Sequence, residues 1–288
     1  MKPIWIERLV MTNRSLLFVL TGVFALLIPL TVSAQEMTSV TYADGNGCDD
    51  AGCVNEYCGD CCGGNWFFTA EATFFKFHDA GGVEDADADD GEFDWDVAPR
   101  LTLGYVNCEG AGVRIRYWDF DEDTITVGDG LITVDTYSID LEAFQVVDLG
   151  CSTSLEVSGG VRYNDFYHFI EDGLVGVDTI TYDGWGGMIG IEARRDMGCG
   201  KVVYARLREI IMTGDAFFDG PAGNEVDTIR PVTEIALGVA YQNCNWSFNA
   251  GFEWQNWGNY SSDGSVNVDQ EASDVGFAGF VLGGEYSY

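Results

Sequence analysis

Four times along the chain a cysteine stands in a short turn between two segments whose side chains alternate apolar and polar. The segments are "PRLTLGYVNCEGAGVRIRYWDF" (99–120), "DLEAFQVVDLGCSTSLEVSGGVRYNDF" (140–166), "GMIGIEARRDMGCGKVVYARLREI" (187–210) and "EIALGVAYQNCNWSFNAGFEWQNW" (234–257). In the last of these, Ile235, Leu237, Val239 and Tyr241 share one parity before the cysteine, and Trp246, Phe248, Ala250, Phe252 and Trp254 share one after it. A period of two belongs to a β-strand with two different faces. The turn cysteines Cys108, Cys151, Cys199 and Cys244 recur at spacings of 43, 48 and 45 residues, an internal repeat of two strands, a tight turn and a long loop.

With the flanks added, the pattern predicts ten strands, at about 65–78, 96–107, 111–126, 132–148, 154–168, 183–196, 201–213, 231–242, 246–258 and 274–288. The stretch "TITVGDGLITV" (124–134) reads either as two strand extensions or as a separate loop hairpin. Short turns on one side and long, acidic, Gly-rich loops on the other are the layout of an antiparallel transmembrane β-barrel, with the short turns and both termini on the periplasmic side.

A soluble β-sandwich alternates too, so the polar parity has to decide between them. A solvated face would carry Lys, Thr and Glu. Here it carries glycines, seven arginines (Arg100, Arg114, Arg116, Arg162, Arg194, Arg206, Arg208) and eight carboxylates (Glu71, Asp140, Glu142, Glu156, Glu192, Glu234, Glu253, Glu285). Arginine holds carboxylates in bidentate fashion, and the near absence of lysine points to a crowded lumen over open water. The apolar stripes then face outer-membrane lipid. Trp66, Tyr105, Tyr117, Tyr137, Tyr163, Trp185, Tyr241, Trp246 and Trp254 lie on that same parity near strand ends, as interfacial girdles do.

The N-terminus reads as an export signal. Lys2, Arg8 and Arg14 precede "LLFVLTGVFALLIPLTV", and "VSA" at 32–34 has the form of a signal-peptidase site. The expected organisation is a signal peptide over 1–34, a Cys-rich periplasmic segment over 35–64 and an outer-membrane barrel over 65–288. Removing 1–34 leaves 11 basic and 46 acidic residues, a net charge of −35. That excludes a nucleic-acid partner held by phosphate contacts.

The Gly-Val-Arg echoes "GVRIRYWDF" (112–120) and "GVRYNDF" (160–166), the opening strand "WFFTAEATFF" (66–75), the closing "GGEYSY" (283–288) and the signal peptide together resemble the Legionella-type major outer-membrane protein family. The resemblance implies a pore-forming β-barrel over roughly 65–288. It implies nothing for the Cys-rich segment.

The residues alone leave the lumen open to two readings. Its ions could line a narrow water-filled pore for ions or small solutes. They could equally pair across the bore and plug it, which would make the chain a structural or anchoring barrel, disulfide-linked to a periplasmic or cell-wall protein. The disulfide candidates are the four turn cysteines and Cys48, Cys53, Cys58, Cys61 and Cys62. Neighbouring turns are two strands apart, roughly 10 Å at ~4.8 Å per strand, beyond the ~7 Å that a disulfide tolerates. Pairing of turn cysteines with the N-terminal five is the alternative to pairing within each group. The acidic run 84–96 places Asp85, Asp87 and Asp89 at calcium-loop spacing, but its sixth position is Asp90, where a calcium loop has Gly. No cofactor is expected. No enzymatic activity is expected either, since the only histidines, His78 and His168, lack a nucleophile pattern.

Overall fold

The computed structural model describes residues 64–79, 95–127, 130–172, 176–218, 224–243, 245–261 and 273–288. The expected signal peptide, the cysteines at 48–62, Cys244 and the acidic spacing at 85–89 lie outside them. Ten strands form one closed antiparallel meander: β1 (Asn65–Asp79), β2 (Asp96–Val106), β3 (Ala111–Val127), β4 (Gly130–Asp148), β5 (Thr153–Asp172), β6 (Gly176–Asp196), β7 (Lys201–Phe218), β8 (Asn224–Asn243), β9 (Trp246–Ser261) and β10 (Ser273–Ser287). Each strand pairs with its chain neighbours, and β1 closes the ring on β10 from Phe67↔Ser287 to Asp79↔Val275. Closure leaves no unpaired edge, the condition for a sheet to stand in hydrocarbon.

The turns at the short-turn end are built by local polar groups. Asn107 Oδ1 accepts from the amides of Glu109 (3.0 Å) and Ala111 (2.9 Å), folding the β2–β3 turn. In the β6–β7 turn Asp196 Oδ1 accepts from Gly198 N at 2.7 Å. Gly198, Cys199 and Gly200 all take positive φ there, at 86°, 57° and 72°, so the flanking glycines relieve a backbone that Cys199 alone holds at some strain.

At the long-loop end the strands overrun the expected bounds. β6 starts at Gly176 and not at 183, β8 at Asn224 and not at 231, β7 runs to Phe218 and β5 to Asp172. Within "TITVGDGLITV" β3 continues to Val127 and β4 begins at Gly130. A membrane needs only about 9–11 residues of tilted strand, so strands of up to 21 residues stand well clear of it.

The side chains change sense along these strands. In the half nearer the short turns the outward positions are apolar, as at Leu101, Ile115, Leu141, Val157, Ile189, Ile191, Leu207, Leu237 and Phe252, all exposed. Farther out the outward positions turn acidic: Asp121, Asp135, Asp183 and Asp215 are exposed, and Asp121↔Asp135, Asp165↔Asp183 and Asp183↔Asp215 stand directly opposite one another. The inward positions at that level become aromatic and fully buried, with Phe75, Phe77, Phe120, Phe166 and Phe277 all at 0 %. One half is apolar outside and polar inside, as lipid requires. The other is polar outside and apolar inside, as water requires.

This change of medium is testable by substitution. Ile189→Arg places a charge against hydrocarbon and is expected to destabilise the barrel by about 2–4 kcal/mol, the cost of a midplane position. Asp183→Arg, nearer the loops on the same face, is expected not to destabilise it. Equilibrium refolding of both variants into lipid vesicles reads the difference; equal losses would place Asp183 in lipid and refute the two-medium description.

Candidate functional site

The polar half of the lumen is assembled first by strand register. Six oppositely charged pairs sit directly across a strand boundary: Glu71↔Arg100, Arg114↔Glu142, Arg116↔Asp140, Asp140↔Arg162, Glu192↔Arg206 and Arg208↔Glu234. Because all of these side chains share the inward parity, each charge arrives with a neighbour already in place.

A second set of contacts then spans the bore. Arg208, on β7, bonds Asp140 Oδ2 at 2.9 Å and Glu142 Oε1 on β4, while its other Nη bonds Glu234 Oε2 at 2.7 Å on β8. Arg162 holds Asp140 through Nε (2.7 Å) and reaches Glu234 Oε1 at 2.6 Å. Arg100 grips Glu253 with two parallel bonds of 2.5 and 2.9 Å, and Arg206 adds a third to the same carboxylate at 2.8 Å. Arg116 bonds Glu142 at 2.9 Å, and Arg114 bonds both Glu142 (2.7 Å) and Glu156 (2.8 Å). The side chains of Arg208, Asp140, Glu142 and Glu253 are no more than 1 % exposed. Room for this comes from glycine: a Cβ at Gly190 would lie 3.3 Å from Arg208 Cγ.

The outer limit of the charged layer is an aromatic layer. Phe277 packs against Phe120 (ring centroids 4.9 Å apart), Phe77 (5.4 Å), Trp257 (5.4 Å) and Trp118 (5.5 Å). Trp118 on β3 and Phe166 on β5 both touch Trp257 on β9, so the rings meet across the bore. A relay joins the two layers: Trp257 Nε1 donates to Gln255 Oε1 (3.0 Å), and Gln255 Nε2 donates to Glu253 Oε1 (2.8 Å).

The remaining candidate residues lie nearer the short turns. Glu192 accepts from Arg194 Nε at 2.5 Å, and Glu285 accepts from Thr69 Oγ1 at 3.0 Å. Cys108 is exposed on the β2–β3 turn, and Cys151 and Cys199 are disulfide-bonded. The two histidines do not share a site. His78 is exposed, while His168 is buried in the aromatic layer against Phe77 and Phe166. Among the described residues no group of three His, Cys, Asp or Glu could hold a metal ion.

Two features escaped the sequence reading. Arg230 is buried with its guanidinium 4.4 Å from the Tyr182 ring centre, one residue before the expected start of β8. The aromatic layer also went unseen, although its signal was present: Thr73, Phe75 and Phe77 continue the parity of Glu71.

Residues 61–288 match the family model of the Legionella pneumophila major outer membrane protein precursor. No curated protein matches the chain. Among solved structures it is similar to a major outer membrane protein of Thermus thermophilus, at 14% identity over 78% of this chain and 100% of that one, with a TM-score of 0.40. It is similar also to the outer membrane protease OmpT of Escherichia coli, at 9% identity over 78% and 96% with a TM-score of 0.48. Neisserial surface protein A matches at 13% identity over 77% and 96%, with a TM-score of 0.35.

The lattice predicts unequal arginines. Arg208→Met removes one partner from each of three buried carboxylates, Asp140, Glu142 and Glu234, and is expected to destabilise the barrel by about 3–5 kcal/mol. Arg194→Gln, with 44 % of its side chain exposed, is expected to change stability by no more than about 0.5 kcal/mol. Denaturant titration of both variants in lipid vesicles checks the ranking.

Proposed function

Because the chain belongs to the Legionella pneumophila major outer membrane protein family, we propose that it is an outer-membrane barrel whose lumen is closed to ions and solutes and whose role is structural, anchoring the outer membrane to what lies beneath it. The observation that carries this reading is the pair of stacked seals. A permeating ion would have to separate guanidinium–carboxylate pairs that are almost wholly buried, and then cross a layer of closely packed rings. Each separated charge would be left uncompensated in a low-dielectric interior.

Anchoring needs a surface for a partner, and this reading assigns that role to the exposed turns at the end that faces the periplasm. Cys108 is exposed at that end, and Cys151 and Cys199 are disulfide-bonded there. The narrow-pore reading keeps one support, a polar cavity between the charged layer and the short turns. No catalytic role is assigned, because the two imidazoles lie on opposite faces of the barrel wall.

Conductance across a planar lipid bilayer separates the two readings. Folded protein, identified by heat-modifiable gel mobility, is expected to give no unitary steps, and discrete steps from the wild-type barrel would overturn the closed reading.

A further inference from the structure

Beneath the charged layer the lumen widens into a cavity of about 90 Å³ that opens toward the short turns. That is room for several waters or one small solute. Its walls differ in chemistry. β6 and β7 present Arg194, Arg206 and the Tyr204 hydroxyl, while β1, β10 and β9 present Glu71, Glu285 and Asn249. In the ring of ten strands β6 stands five places from β1, directly opposite it.

Each wall keeps hydrogen-bonding capacity that the lattice does not use. Arg194 bonds Glu192 through Nε, and its side chain is 44 % exposed toward the cavity mouth. Arg206 bonds Glu253 through Nη2, but its Nη1 is 3.9 Å from Glu192, too far for a hydrogen bond. On the facing wall Glu285 accepts a single hydroxyl, from Thr69, through one oxygen. Asn249 donates to Glu71 Oε1 at 2.8 Å and so holds that carboxylate in the wall, its own Oδ1 lying over Gly283.

We propose that this vestibule is a binding site for a free amino acid, a small zwitterion whose carboxylate sits between Arg194 and Arg206 and whose ammonium faces Glu285 and Glu71. A simple anion would leave the acidic wall unanswered and lie close to Glu192. A simple cation would leave the guanidinium donors unanswered. Only a ligand carrying both charges a few ångströms apart satisfies both walls, and the cavity volume limits it to a small one. The site does not depend on whether the lumen conducts, since it lies wholly on the near side of the charged layer.

Saturation-transfer NMR on the full-length protein in detergent micelles tests the site, with glycine and alanine as probes and acetate and methylammonium as the two half-ligands. Both amino acids are expected to bind with Kd of about 1 mM or tighter, and each half-ligand at least about tenfold more weakly. Arg194→Gln and Glu285→Gln touch opposite walls outside the central lattice. Each is expected to weaken alanine binding about tenfold while heat-modifiable mobility stays that of the folded barrel. Absence of transfer to either amino acid, acetate binding as tightly as alanine, or unchanged affinity in both folded variants would each overturn the proposal.

Discussion

Everything inside this barrel depends on the guanidinium of Arg208 crossing the bore. A ring of ten strands is only slightly wider than one that side chains fill completely, so a charge pointing inward cannot keep a full hydration shell. It needs a fixed partner. Strand register gives Arg208 one partner, Glu234, and the opposite wall gives it Asp140 and Glu142. The same carboxylates hold Arg116 and Arg162, so the pairs form a connected layer. Such a layer is costly to desolvate and more costly to break. The contacts that span the bore are the same ones that let the charges be there at all.

The strands meet two solvents in succession. Where the wall stands in lipid, the inward face carries the polar groups. Where the strands rise beyond lipid, the outward face takes the carboxylates and the inward face takes the rings. Facing aspartates such as Asp183 and Asp215 repel one another, and that is tolerable only in water with its counter-ions. A barrel spanning hydrocarbon over its whole strand length could not hold that belt. The aromatic layer is therefore the small soluble-type core of the projecting half, and Trp257–Gln255–Glu253 is where it joins the ionic one.

These constraints leave a polarised chamber at the short-turn end, bounded on its far side by the ionic layer. The chamber and the disulfide-bonded turn cysteines Cys151 and Cys199 both lie at the short-turn end. The proposed role in attachment and recognition beneath the membrane rests on these two features.

Much of this was legible in the chain. The parity of Ile235, Leu237 and Val239 against Glu234 assigns faces without any knowledge of neighbours, because a strand turns its side chains by a fixed period of two. The cysteine turns space the hairpins, and arginines replacing lysines on the inward parity mark a lumen. Adjacent pairs such as Arg114 with Glu142 follow once hairpin register is known. The aromatic layer was legible in principle at Phe75 and Phe77, but a reading that holds one face polar along the whole strand misses a change of solvent partway. Residues 176–182 and 224–230 were missed as strand for the same reason, their hydropathy matching no lipid-facing pattern. What only the tertiary structure decided is which walls meet. That Arg100 grips Glu253, and Arg208 reaches Asp140, depends on strand number, tilt and the closure of β1 on β10. These are properties of the whole ring, and no local stretch of sequence encodes them.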